Sequence, residues 1–167
     1  GSFAGGTNVG DFDGDGYLWV KSSNSTSSWK IDVATRVATA VTAVATGADW
    51  AYRADENASY SVNNTNRIVI FDLATLTSRT VAITGALVAG GHGADWFDAD
   101  GILYAFDNGT GYIRAINADT GAATFVGTAP PNSSNDGASC PLTLPPFEGC
   151  ANGEDDDGDG TTDENDD

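Results

Sequence analysis

Oxygen donors on alternate residues are what a hard divalent cation needs, and the run Cys150-Ala151-Asn152-Gly153-Glu154-Asp155-Asp156-Asp157-Gly158-Asp159-Gly160-Thr161-Thr162-Asp163-Glu164-Asn165-Asp166 supplies them. With Asp155 as the first position of a loop, Asp157 stands third, Asp159 fifth, Gly160 sixth, Thr161 seventh, Asp163 ninth and Asp166 twelfth. That is the twelve-residue calcium-loop spacing, with Asp where Glu usually closes the loop. Ca2+ takes about six to eight oxygens, and glycine at the sixth position permits the sharp turn that gathers them. A plain solvated acidic tail is the alternative, but it would not need this register of Asp and Gly. Ca2+ is therefore the expected cofactor.

A second candidate is Asp11-Phe12-Asp13-Gly14-Asp15-Gly16, in which Asp11, Asp13 and Asp15 either hold a metal or belong to a hairpin turn built on Asp-Gly. Its counterpart Asp98-Ala99-Asp100-Gly101 keeps two acids, because Trp96 replaces the first. His92 is the only histidine and lies between glycines. No serine or cysteine nucleophile motif accompanies it, so no catalytic residue is expected and the chain does not read as an enzyme. Cys140 and Cys150 are ten apart, which suggests a local disulfide in an oxidising compartment, with two free thiols as the alternative. Neither has the histidine or second cysteine pair that zinc requires. Asn24, Asn57, Asn63, Asn108 and Asn132 each begin an Asn-x-Ser/Thr tripeptide, and any sugar is expected on the loop residues Asn24, Asn63, Asn108 and Asn132.

The elements that must position these residues come from a repeat. Gly5-Gly6 through Asp13-Gly14-Asp15-Gly16 aligns without gaps to Gly90-Gly91 through Asp98-Ala99-Asp100-Gly101, and Gly47-Ala48-Asp49-Trp50 returns as Gly93-Ala94-Asp95-Trp96. Downstream, Ile31-Asp32-Val33-Ala34-Thr35 matches Phe71-Asp72-Leu73-Ala74-Thr75 and Ile116-Asn117-Ala118-Asp119-Thr120. The spacings are 40 and 45 residues for the Asp/Asn position, and 41 and 44 for Trp19, Tyr60 and Tyr104. Within a copy the apolar period is two and the turns are short. In the third copy, strands are predicted over Ile102–Phe106, Tyr112–Ile116 and Ala122–Val126, with the Asp-Trp segment as a fourth. The run Val33–Ala45 is open between helix and strand, since its Val and Thr alternate with Ala.

Three or four antiparallel strands in about 42 residues is the size of a propeller blade. The predicted architecture is all-β: a three-repeat, propeller-like domain over 1–140, with repeats near 5–46, 47–92 and 93–140, and a disulfide-linked acidic calcium-binding tail over 141–167. The Asp49-Trp50 and Asp95-Trp96 pairs read as blade-core aromatics, each beside a turn-capping acid, rather than as a ligand platform. Closed propellers use about four to eight blades, so three copies leave unpaired edges that something must cover. Further blades of a parent protein or identical subunits, in a ring or a filament, would do so.

The blocks Leu103-Tyr104-Ala105-Phe106-Asp107, Ile116-Asn117-Ala118-Asp119-Thr120-Gly121 and Ser134-Asn135-Asp136-Gly137-Ala138-Ser139-Cys140 resemble blade repeats of bacterial secreted β-propeller-like proteins. The likeness covers about residues 5–140 and implies a blade-built fold and an extracellular or cell-surface location, without a single activity. Val9–Tyr17 also resembles the calcium loop of integrin-type propeller repeats, departing from it at Trp19, where a ninth-position Asp is usual. The tail is similar to thrombospondin type-3 calcium repeats.

Charge narrows the partners. Acids outnumber bases 24 to 7, and residues 148–167 hold ten acids and no Lys or Arg. Such a field repels phosphate and anionic lipid, which argues against nucleic acid and charged membranes as partners. No apolar stretch is long enough to span a bilayer, no basic-then-apolar leader is visible, and Gly1 is no initiator, so a processed product or an excerpt is expected. The expected function is an extracellular, calcium-stabilised structural or assembly subunit that self-associates. The alternative is a ligand- or glycan-binding propeller domain of a larger secreted adhesin.

Overall fold

The computed structural model describes residues 7–22, 25–42, 47–85 and 90–137. Each repeat forms one antiparallel sheet, and the described residues contain no helix. The first sheet runs β1 (Val9–Phe12), β2 (Tyr17–Lys21), β3 (Ser27–Asp32), β4 (Val37–Thr42), and the second β5 (Ala51–Arg53), β6 (Ala58–Val62), β7 (Arg67–Asp72), β8 (Thr77–Ala82). A short β9 (Thr84–Gly85) follows, and the third sheet is β10 (His92–Phe97), β11 (Ile102–Asp107), β12 (Tyr112–Asn117), β13 (Ala122–Thr128). Strands are neighbours in chain order, so each blade is a meander. β9 adds in parallel to the outer edge of the third sheet, with Thr84 opposite Ala122. Of the two readings of the alanine-rich run, the strand is the one realised over Val37–Thr42.

The turns explain why the repeat keeps its Asp and Asn residues. Oδ1 of Asp32 accepts from the Ala34 and Thr35 amides, Asp72 from Ala74 and Thr75, and Asn117 from Asp119 and Thr120. Such a side chain gives the turn the acceptor that a strand partner would otherwise provide. Four residues beyond each, the backbone is left-handed, at Arg36, Leu76 and Gly121. Only glycine takes that conformation without cost. At Gly121 a β carbon would also run into the Ala82 carbonyl where the second and third sheets meet.

Alternation within the strands gives every sheet two faces, here called forward and rear. The forward face of the first sheet (Val9, Trp19) packs on the rear face of the second (Trp50, Tyr52, Val69, Phe71). There Trp50 stacks on Phe71 at 6.0 Å and Trp19 meets the same ring edge-on at 6.3 Å. The forward face of the second sheet (Tyr60, Val62, Ile68, Ile70) packs on the rear face of the third (Phe97, Leu103, Ala105, Ile116), with Tyr60 edge-on to Phe97 at 5.0 Å. The sequence led to expected unpaired strand edges at the ends of the stack. The structure instead leaves parts of two sheet faces uncovered among the described residues, because the blades join mainly by face-to-face packing, with the short β9–β13 pairing as an addition. One is the rear face of the first sheet, where Phe12 lies opposite Leu18, Leu18 opposite Ile31 and Ile31 opposite Ala38, with Val20 opposite Trp29 in the next row. The other is the forward face of the third, where Trp96 stacks on Tyr104 at 5.5 Å.

Candidate functional site

The inner strands carry acids into the seams between blades. Asp11 Oδ2 accepts from the Tyr52 amide of the next sheet at 2.8 Å. Asp49, two residues ahead of β5, uses Oδ1 for the Trp50 amide and Oδ2 for the amides of Asp95 at 2.7 Å and Gly137 at 3.1 Å. Asp95 reaches back, its Oδ2 accepting from the Val62 amide at 2.8 Å. Lys21 donates to the Gly47 carbonyl at 2.7 Å with its ammonium 5.3 Å from the centre of the Trp50 ring. Backbone amides of the inner strands would otherwise be buried without acceptors, so these side chains serve the seams as a ladder would serve an edge.

Burial dominates the electrostatics of this group. It pushes the Asp49 carboxyl up to about 7 against the amides that favour its charged form, and the nearby Asp136 charge adds to the push. Asp95 is fully enclosed and stands well above the carboxylate range, first from burial and then from the Asp49 charge. Asp11 is raised for the same leading reason. Burial lowers Lys21 to about 8, with the Asp49 charge opposing. Two carboxyl groups across one buried seam disfavour each other's ionisation.

A second polar group lies at the end of the blades where β5 and β10 begin. His92 pairs with Asp107 across β10 and β11, and both are buried. Neither ring nitrogen of His92 makes a hydrogen bond of ordinary geometry. Burial lowers its pKa, the Arg114 charge adding to this and the Asp107 charge opposing it. Asp107 also caps a turn through the amides of Gly109 and Thr110, which hold it below its usual value although burial opposes them. His92 lines a cleft of about 420 Å3 with Gly47, Ala48, Asn63, Asn64 and Gly91.

The residues singled out from the sequence fall into three groups. The tail residues Asp155, Asp157, Asp159, Thr161, Asp163 and Asp166, together with Cys140, Cys150 and Asn24, lie outside the described residues. Asp11, Asp13 and Asp15 are described and border the β1–β2 turn. Asp13 Oδ1 accepts from the amides of Asp15 and Tyr17, and its Oδ2 takes the Trp19 indole N–H at 2.8 Å and stands 3.6 Å from Lys30. Asp98 repeats this capping with Asp100 and Ile102. Among the described residues no three His, Cys, Asp or Glu side chains are grouped as a metal would need. Of the sequon asparagines, Asn63 caps the β6–β7 turn, Asn108 accepts from the Asn135 amide, and Asn132 is exposed. The Asp-Trp acids correct the sequence reading, since Asp49 and Asp95 bridge blades rather than cap turns. Sequence reasoning passed over Lys21, Asp107 and Arg114, whose burial no local pattern announces.

No curated protein matches the chain in sequence. The family described as "Repeat of unknown function (DUF6923)" matches residues 1–142. Solved structures similar to the fold include virginiamycin B lyase from Staphylococcus aureus, at 16% identity and a TM-score of 0.57, over 78% of this chain and 44% of that one. A luciferin-regenerating enzyme follows at 18% identity and 0.55, over 74% and 45%. A protein of unknown function from Bacteroides thetaiotaomicron gives 18% and 0.58, over 74% and 32%. At these identities the likeness concerns the fold alone, which is propeller-like. The chain spans less than half the length of these structures.

Proposed function

Since the chain belongs to that repeat family, we propose that it is an extracellular, calcium-stabilised structural module that works by blade-to-blade assembly and carries out no catalysis. One observation supports this above the others: the outermost sheets each leave an apolar face uncovered, and the two faces are of opposite kinds, one rear and one forward. Contiguous exposed apolar surface marks a place where something packs. Calcium enters through the loop spacing of Asp155 to Asp166, with Asp11, Asp13 and Asp15 as a secondary candidate. A cation there cancels repulsion among the ten acids of residues 148–167 and stiffens the segment that follows the last blade.

A second reading, a small-ligand or glycan site, is favoured by the cleft under His92. Its volume of about 420 Å3 falls in the small-molecule range, and its asparagines both donate and accept hydrogen bonds, as hydroxyl groups do. The lyase and the luciferin-regenerating enzyme are enzymes by their names, yet nucleophile and base motifs are wanting in this sequence, so catalysis is not part of either reading.

Light scattering during calcium addition and chelation tests the leading reading. In millimolar Ca2+ the chain is expected to exceed its single-chain mass and to melt several degrees higher than in chelator. A single chain with the same melting temperature in both conditions would contradict it, and saturable saccharide binding by that single chain would favour the second reading.

A further inference from the structure

We propose that two copies of this chain join head to tail into a closed ring, the rear face of the first sheet in one copy packing on the forward face of the third sheet in the other. This rests on the assembly reading above and names its partner and its contact. The chain already makes this joint twice internally, and each time a ring on the second strand of the forward face meets a rear-face aromatic of the following sheet: Trp19 on Phe71, Tyr60 on Phe97.

The strand register carries the pattern to the free faces. Tyr17, Ala58 and Ile102 lie opposite Asp32, Asp72 and Asn117, which makes Trp19, Tyr60 and Tyr104 equivalent positions. Phe12 lies opposite Leu18 as Phe97 lies opposite Leu103, and these leucines immediately precede Trp19 and Tyr104. Phe12 is therefore to the first sheet what Phe97 is to the third. Phe97 is 8% exposed in its joint, whereas Phe12 is 47% exposed. Leu18, Val20 and Ile31 share its face, and none belongs to either buried cluster. The receiving face offers the Trp96–Tyr104 stack beside a groove of about 300 Å3, lined by Trp96, Phe106 and Pro130 and by the polar Asn132, Asn135 and Asp136.

Counting selects the partner. With three sheets among the described residues of each copy, two copies bring six, inside the range of about four to eight in which propellers close, and consume one rear and one forward face from each copy. Three copies would overshoot that range. The joint is heterologous, so a second copy completes what one copy leaves open at both ends.

The test is a complementation by mass in calcium buffer. The double variant Phe12→Glu/Leu18→Glu spoils only rear faces, and Trp96→Glu/Tyr104→Glu spoils only forward faces. The unsubstituted chain is expected at twice the single-chain mass, each variant alone at the single-chain mass, and an equal mixture of the two back at the two-chain mass through one intact joint. A mixture that stays single, or a variant that pairs with itself, overturns the head-to-tail joint, and a mass growing with concentration beyond two chains overturns closure at two. Should either variant fold poorly, Leu18→Cys and Tyr104→Cys chains are mixed and oxidised. Cross-linked pairs exceeding those of the unsubstituted chain and of Leu18→Cys alone support the joint, and equal yields overturn it. An unsubstituted chain that is single with and without calcium would instead remove the assembly reading itself.

Discussion

Asp95 places a carboxyl group in a fully buried position where the charge acting on it is that of Asp49, another acid. Burial raises both carboxyls above the ordinary value of 3.8, Asp49 to about 7, so above 3.8 the folded chain binds more protons at these groups than the unfolded chain does. Where the folded state binds more protons, stability falls as pH rises. The melting temperature is expected to drop between about pH 4 and pH 7, and Asp95→Asn, which keeps an acceptor for the Val62 amide, should flatten that drop. A melting temperature that rises through this window would contradict the account. At Leu76 the backbone is left-handed with φ of 57° on an exposed side chain. Leu76→Gly is expected to stabilise the chain by roughly 0.5–1 kcal/mol, as relief of that conformation exceeds glycine's added freedom when unfolded. Chemical denaturation reads this directly. At this scale the sequence was half legible. The repeated Gly-Ala-Asp-Trp was visible, but it does not show that Asp49 points forward and Asp95 rearward. That inversion comes from the hairpins: Ala51 lies opposite Tyr60 whereas Trp96 lies opposite Tyr104, a one-residue difference that turns the alternation over.

The blade is the unit that the repeat encodes, and most of it could be read in advance. Recurrent Asp and Asn residues became turn caps, and apolar alternation became strands with two buried faces in the middle sheet. The exception was the outer strand of the first sheet. Val37, Ala38, Thr39 and Ala40 are all exposed, so burial imposed no alternation there and the run stayed open between helix and strand. Joints between blades are expected to be where stability concentrates, because each blade can bury its faces only against a neighbour. Trp50 is 1% exposed, stacked on Phe71 and beside the Lys21 ammonium. Trp50→Ala should cost about 3–5 kcal/mol. Amide exchange should then show protection lost first in β1 to β4, with β10 to β13 retaining theirs. Uniform loss over all three sheets would argue against joints of this modular kind.

At the scale of the whole molecule, a propeller-like stack of three blades has two ends, and composition alone could not say what they look like. Charge, with 24 acids against 7 bases, left the apolar end faces unannounced. Those faces emerge only when register sorts Phe12, Leu18 and Ile31 onto one side of a sheet and Trp96 and Tyr104 onto the other end of the stack. Sedimentation equilibrium of the purified 17.1 kDa chain in calcium buffer, over a wide dilution series, tests the account most directly. It should give twice the chain mass, falling to one chain only on strong dilution or when Phe12 and Leu18 become acidic. A single-chain mass at every concentration would show that the end faces do not seek each other.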